Sequence, residues 1–239
     1  RICEHYGSRP TYIFSSATVA KPGQLAERLT GLPVATVDRS SAPRAKRHLV
    51  FVDPQASPAQ AATVFLKAAL ECNLRTIVYT QSRKLAELIA IWAGSQSGKF
   101  ASKISAYRAG LLATERRQIE SRLSSGDLLA VISTSALELG IDIGDLDLCL
   151  LVGYPGSVVS TWQRGGRVGR SGQDSAMILI AAEDALDQFF LRNPAEFLQR
   201  NPETALVNPF NPEIAAQHIV CAAAELPIHN EESYLQEKA

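Results

Sequence analysis

The chain has 239 residues, 46% of them hydrophobic and 20% charged, with 24 basic residues against 24 acidic ones. That length allows one large or two modest domains with a sizeable core, and zero net charge excludes a globally basic nucleic-acid binder while leaving room for a local basic groove. No apolar run reaches the length of a membrane span and the start lacks a signal-peptide pattern, so the expected location is cytoplasmic, with no membrane partner.

In chain order, Thr11–Phe14 is a β-prone run that ends in the hydroxylated triplet Ser15, Ser16 and Thr18 around Ala17, which suits a buried strand emerging at a site. Gln24–Leu29 reads as a short helix ended by Gly31, and Val34–Val37 and His48–Val52 as strands. The Pro54–Pro58 stretch reads as a linker, and a domain boundary is expected there. Beyond it, helices at 59–70, 83–92 and 114–123 alternate with short apolar strands at 75–79, 104–107, 128–132, 148–152 and 177–181. This alternation predicts a parallel α/β sheet covered on both faces. A helix over 184–192, a proline-punctuated stretch, and a helix capped by Asn211 and running through Ala224 follow. Of four dispersed cysteines, Cys72 and Cys149 sit among apolar residues and read as buried core thiols of a reducing compartment. His218 and Cys221 share a helix face, but with no second pair they do not amount to a metal site.

In parallel sheets, ligands bind beyond the carboxyl ends of the strands. Thr80-Gln81-Ser82, Arg108-Ala109-Gly110 and Ser133-Thr134 fall at such ends, and they are expected to face one side of the sheet together with the run Gln163–Arg170, QRGGRVGR. That run places three arginines and three glycines within seven residues. Glycine lets backbone approach a ligand closely, and the arginine fork matches phosphate oxygens, so the run reads as a phosphate site rather than a solvated basic turn. Thr134 could reach a phosphate and Asp142 a ribose; equally, each could simply cap a turn. Arg83 at the start of a helix is electrostatically disfavoured, which an anionic ligand or plain solvent exposure would explain.

Taken in order, these segments resemble the carboxyl-terminal motor half of superfamily-two DNA helicases of the DEAD/DEAH type, and within them the YprA/MrfA-type repair helicases. Ser16-Ala17-Thr18 resembles the SAT motif that couples ATP hydrolysis to strand movement. Tyr79–Arg83 resembles the fourth motif, TSALELGID at 134–142 the fifth, and QRGGRVGR at 163–170 the sixth. Tyr107–Gly110 resembles the family's Y-H-A-G-L segment, with Arg108 standing where histidine is common. The resemblance implies a RecA-like fold and contacts to ATP by Gly140, Asp142, Arg167 and Arg170. Within that set Arg170 is the arginine finger, with Arg167 and Gln163 beside it. It implies nucleic-acid backbone contacts by Thr80, Arg83, Arg108, Gly110, Ser133 and Thr134, chiefly to single-stranded DNA.

Neither G-x-x-x-x-G-K-[ST] nor a D-E-x-H box occurs in the sequence. The family places both in a first RecA-like domain, so the resemblance implies that the chain is half of a motor. Its partner domain would bring the phosphate loop and the Mg2+ ligands, and this half alone would be inactive. The implied division is the end of the first domain over 1–55, the second RecA-like domain over 56–188, and a helical extension over 189–239 that begins a winged-helix-like region. The arginines are expected to point into open solvent. A stand-alone binding module and an RNA helicase half are the alternative readings, separable by upstream sequence and by ATPase stimulation with DNA or RNA.

Overall fold

The computed structural model describes residues 2–16, 18–39, 41, 45–138, 146–169, 172–208 and 211–229. Among these, six strands form one all-parallel sheet: β1 (Arg47–Val52), β2 (Thr76–Tyr79), β3 (Ile104–Tyr107), β4 (Ala130–Ser133), β5 (Leu148–Val152) and β6 (Ser175–Ile180). Their order across the sheet is β1-β6-β5-β2-β4-β3. The three central strands β2, β4 and β5 are buried at every residue, which is why they read as continuous apolar runs rather than as alternating ones.

The nine helices of the described residues are α1 (Ile2–His5), α2 (Pro22–Thr30), α3 (Pro58–Glu71), α4 (Arg83–Gln96), α5 (Ala113–Ser124), α6 (Val158–Gly165), α7 (Ala185–Arg192), α8 (Pro194–Gln199) and α9 (Pro212–Glu225). On one face of the sheet Val78, Ile132, Leu150 and Val152 pack against Leu66 and Leu70 of α3 and Ile89 of α4. On the other face Ile77, Val131, Cys149 and Met177 meet Leu123 of α5, Val158 of α6, and Phe190 and Phe197 of α7 and α8. Neighbouring residues of one strand thus go to opposite cores, as the two-residue period requires. None of these helices is long and apolar enough to cross a membrane.

The helix boundaries follow local chemistry. Ser57 caps α3 through a reciprocal box with Gln60, with Pro58 in the first turn. Gly31 ends α2 at φ 68°, returning its N–H to Glu27 O at 2.8 Å. Asn211 Oδ1 accepts from the N–H groups of Glu213 and Ile214 at the start of α9.

Several expectations fail. Thr11–Phe14 and Val34–Val37 belong to no strand, and Ile13 and Val37 are 90% and 92% exposed. A strand needs a neighbour for its N–H and C=O groups, and among the described residues no sheet edge lies beside them. β1, before the Pro54–Pro58 stretch, pairs along its whole length with β6, so the sheet starts at Arg47. At the other end, α8 was missed, and the line drawn after residue 188 cuts through the aromatic core. There Phe197, fully buried, meets Trp162 at 5.5 Å, Phe190 at 5.5 Å and Phe51 at 5.9 Å between ring centres. Cys72 is exposed because it lies just past α3, beyond the last buried position, Leu70. Cys149, buried in β5, conforms to expectation, and burial pushes its thiol up to about 12. Residues 230–239, expected to fray, lie outside the described residues.

Candidate functional site

Because every strand is parallel, Thr80, Arg108 and Thr134 follow the last residues of three adjacent strands, β2, β3 and β4, on one edge of the sheet. The Thr80 N–H donates to Ser133 O at 2.8 Å, locking two of these ends together. The predicted nucleic-acid residues differ in what they present. Thr80 is only 1% exposed and its hydroxyl donates to Ser82 O at 3.0 Å, while Ser133 is fully buried and its Oγ has no hydrogen-bond partner. These two are therefore framework beneath the edge rather than surface a strand of nucleic acid could touch. Arg83 is exposed at the first position of α4, where Ser82 Oγ accepts from Leu85 N. Thr134 is half-buried and precedes a 3-10 turn (Ser135–Leu137), and its hydroxyl makes no capping bond there, so the purely structural role open to it from sequence is not the one observed. Arg108 Nε pairs with Glu87 Oε1 of α4 at 2.6 Å, and Gly110 takes φ 102° just beyond it.

The arginine–glycine run does not lie on that edge. A crossover helix between parallel strands must run back against them, and α6 does so. Val168 bridges Leu146, two residues before β5, and Gly169 N–H donates to Leu146 O at 3.0 Å. Arg47, the first residue of β1, donates to Val168 O at 3.1 Å. The run therefore sits toward the amino ends of β5 and β6. Its glycines are required by the fold itself. A Cβ on Gly165 would meet Met177 Sδ at 2.4 Å, and one on Gly169, at φ 70°, would meet Ser175 Oγ at 2.4 Å. The close approach that Gly165 and Gly169 permit is to their own sheet.

Of the three arginines, Arg164 and Arg167 do not point into open solvent: each is 7% exposed. α6 ends at Gly165, so only Arg164 is helical, yet both guanidinium groups converge on Glu138. Arg164 holds the Glu138 carboxylate with Nη2 at 2.5 Å and Nε at 2.7 Å, and Arg167 Nη2 donates to the Glu138 carbonyl. The Arg164 guanidinium also lies over the Tyr79 ring at 5.2 Å, and the Tyr79 hydroxyl donates to Leu137 O at 3.0 Å. Burial pushes the Tyr79 phenol well above its ordinary value of 10.0, so it is a permanent donor. Tyr79 and Leu137 thus tie the polar edge to the arginine run along the α6 face. Glu138 was overlooked in the sequence; the one signal for it was a charged residue inside the otherwise apolar ALELG stretch.

Gln163 is half-buried on α6. Ser16 and Thr18 line a cleft of about 820 Å³ with Thr36, Asp38 and Arg39; Arg164 and Arg167 are not part of it. Ala17, Gly140, Asp142 and Arg170 lie outside the described residues. A second overlooked group is Glu203, whose two carboxylate oxygens accept from Val158 N at 2.7 Å and Val159 N at 2.9 Å at the start of α6. Asp187, buried, likewise holds the loop before α6 by accepting from Tyr154 N and Ala182 N.

An all-parallel sheet with the order observed, polar strand ends on one edge and buried arginines at the end of α6 define a RecA-like fold. Residues 60–172 match the helicase conserved C-terminal domain, and the chain is similar to superfamily-two helicases of the YprA/MrfA type. It is 42% identical over 245 residues to the ATP-dependent helicase YprA of Bacillus subtilis (strain 168), covering 98% of this chain and 33% of that protein. It is 34% identical to the ATP-dependent helicase hrq1 of Schizosaccharomyces pombe, covering 96% and 23%. A crystal structure of the helicase MrfA bound to DNA and AMPPNP superposes with a TM-score of 0.90 at 41% identity, over 100% of this chain and 36% of that one. The helicase Lhr of Mycobacterium smegmatis, bound to ssDNA and AMP-PNP, gives 0.71 at 29% identity, over 88% and 29%. The chain spans about a third or less of the length of these relatives.

Proposed function

We propose that this chain is the second motor domain of an ATP-dependent 3′-to-5′ DNA helicase or translocase serving DNA repair. It supplies one wall of an ATP site and part of a track for the backbone of single-stranded DNA. The observation that carries the reading is the pair of buried arginines at the end of α6, Arg164 and Arg167, tied through Glu138 and Tyr79 to the polar strand ends. Buried arginines in a motor fold fit nucleotide phosphates: a guanidinium has five donors in a planar fork, so it can serve a carbonyl and a phosphate together. When bound, ATP would supply the phosphoryl transfer that drives the motor. Arg167 would orient its phosphates, Arg170 would stabilise charge developing on the γ-phosphoryl, and Gly140 and Asp142 would hold the nucleoside. Among the described residues no group of three His, Cys, Asp or Glu side chains could hold a metal ion; Mg2+ would be held by ligands of the proposed first RecA-like domain.

Contacts to DNA would fall on Arg83, Thr134, Arg108 and Gly110 at the exposed edge, with Thr80 and Ser133 supporting them from below. Ser16, Ala17 and Thr18 would couple hydrolysis to strand movement. Such backbone contacts are weakly sequence-dependent and salt-sensitive.

The test is Arg170→Ala in the full-length protein. An arginine finger is worth about 10³ to 10⁵ in rate, so DNA-stimulated turnover should fall by at least about 10³ while binding of a single-stranded oligonucleotide changes little. An unchanged turnover number would remove Arg170 from the site. Vigorous ATPase by residues 1–239 alone would refute the two-wall arrangement, and stimulation by RNA but not DNA would reassign the nucleic acid.

A further inference from the structure

Arg164 and Arg167 converge on one glutamate, Glu138. We propose that Glu138 is a positioning residue for Arg167, held by Arg164 and Tyr79 so that the polar strand-end edge and the phosphate-facing arginine move as one unit. The proposal rests on the reading of Arg167 as a phosphate contact.

The argument starts from the two ends of Glu138. Its carboxylate is gripped by Arg164 at 2.5 and 2.7 Å, and its carbonyl takes the bond from Arg167. The side chains of Arg164 and Glu138 are only 9% and 14% exposed, so their attraction is little screened by solvent. Burying an ion pair seldom adds stability over an apolar pair, and fixing one geometry is a better-attested use for it. Here the fixed object is the Glu138 carbonyl, and through it the guanidinium of Arg167.

The residue before Glu138 is fixed as well. Leu137 O accepts from the Tyr79 hydroxyl, and the Tyr79 ring lies under Arg164. Tyr79 is the last residue of β2, immediately before Thr80, and Leu137 closes the 3-10 turn that begins after Thr134. A displacement of the β2 or β4 strand ends would therefore be felt at Leu137 and Glu138 through the Tyr79 bond, and at Arg164 through the Tyr79 ring. The four side chains form a contiguous hydrogen-bonded and ion-paired link between the two halves of the proposed site, which is the physical form a coupling path takes.

The experiment is steady-state ATPase kinetics on the full-length protein with saturating single-stranded DNA. Glu138→Gln keeps the shape of the side chain and removes its charge. A misplacement of about 1 Å at a reacting group costs on the order of 100-fold, so the expected result is a fall of about that size in DNA-stimulated kcat. The KM for ATP and the Kd for single-stranded DNA should each stay close to wild type, while the melting temperature should fall because the Arg164 charge is left buried and unpaired. Arg164→Gln should produce the same loss, and the double variant should be no worse than either single one, because all three break the same link. Tyr79→Phe keeps the ring beneath Arg164 and removes only the bond to Leu137. It should lower the ratio of DNA-stimulated to DNA-independent turnover, an effect that a purely structural role would not produce. If Glu138→Gln fails to fold, the Tyr79→Phe ratio decides. Unchanged kcat in Glu138→Gln, additive losses in the double variant, or an unchanged ratio in Tyr79→Phe would overturn the proposal. A wild-type protein without ATPase would instead overturn the proposed function, so the two failures are told apart.

Discussion

Gly169 and Gly172 both take positive φ, 70° and 82°, but only one of them is crowded. A Cβ on Gly172 meets nothing within 4 Å, whereas one on Gly169 would strike the Ser175 side chain at the start of β6. The left-handed conformation alone costs an L-residue about 1–2 kcal/mol. Gly172→Ala should cost about that much, and Gly169→Ala clearly more, because Ser175 is held within the sheet. Urea unfolding with an unchanged m-value would measure both, and equal losses would show that the contact with Ser175 yields freely. The same pair of residues separates two meanings of a glycine-rich run. Gly165 and Gly169 serve the packing of the arginine segment on β6, and in the proposed function the ligand chemistry falls to the arginines.

Two carboxylates hold α6 from opposite ends. Glu138 takes Arg164 in its last turn and Arg167 just beyond it, and Glu203 takes the N–H groups of Val158 and Val159 in its first turn. A helix of 8 residues is too short to be stable by itself, so these outside contacts and its packing determine where it sits. At Glu203 slight burial raises the carboxyl pKa, but the two N–H bonds and the charge of Arg200 outweigh it, and the net direction is down from 4.5. A carboxyl depressed by folding binds fewer protons in the native than in the unfolded state. Its stabilisation is present above the unfolded value and is lost as pH falls below it. Glu203→Gln should therefore lower the melting temperature at pH 7, with the difference from wild type shrinking as pH drops toward 4. A gap constant with pH would mean that the carboxylate charge contributes nothing at α6. Glu203 comes from beyond α8, so the segment expected to be a separate extension contributes directly to the placement of the arginine helix.

At the scale of the whole molecule, the packed unit runs from β1 at Arg47 to Glu203, with apolar side chains exposed on both sides of it. Tyr12, Ile13, Phe14, Leu32 and Val37 are exposed before it, and Leu206, Val207, Ile214 and Val220 after it. α9 buries none of its residues. Limited digestion with a non-specific protease should leave a resistant fragment from near Arg47 to near Glu203, identified by mass, while segments 8–39 and 206–225 are cleaved first. Equal resistance of the 8–39 segment would mean that it is anchored to the sheet unit. These exposed apolar flanks accord with a chain that spans about a third of its relatives' length, and with the proposal that a first motor domain lies against the leading segment.

Much of this was legible in the amino-acid sequence because it depends on local periodicity and local chemistry. Continuous apolar runs separated by helical patterns specify a parallel sheet with both faces covered, and Ser57, Gly31 and Asn211 mark helix ends through bonds to their own backbone neighbours. The strand ends that carry Thr80, Arg108 and Thr134 follow from the same pattern, since parallel strands must end on one edge. What the sequence could not determine depends on partners distant along the chain. Whether Thr11–Phe14 becomes a strand depends on an available sheet edge. Whether Thr80 is surface or framework depends on its bond partner, Ser133, in another strand. Glu138 and Arg164, 26 residues apart, meet only because α6 folds back beneath the turn that follows β4. Burial of the arginine run is a tertiary fact: it places Arg167 against a carbonyl instead of in water, and so makes a charged turn into a positioned one.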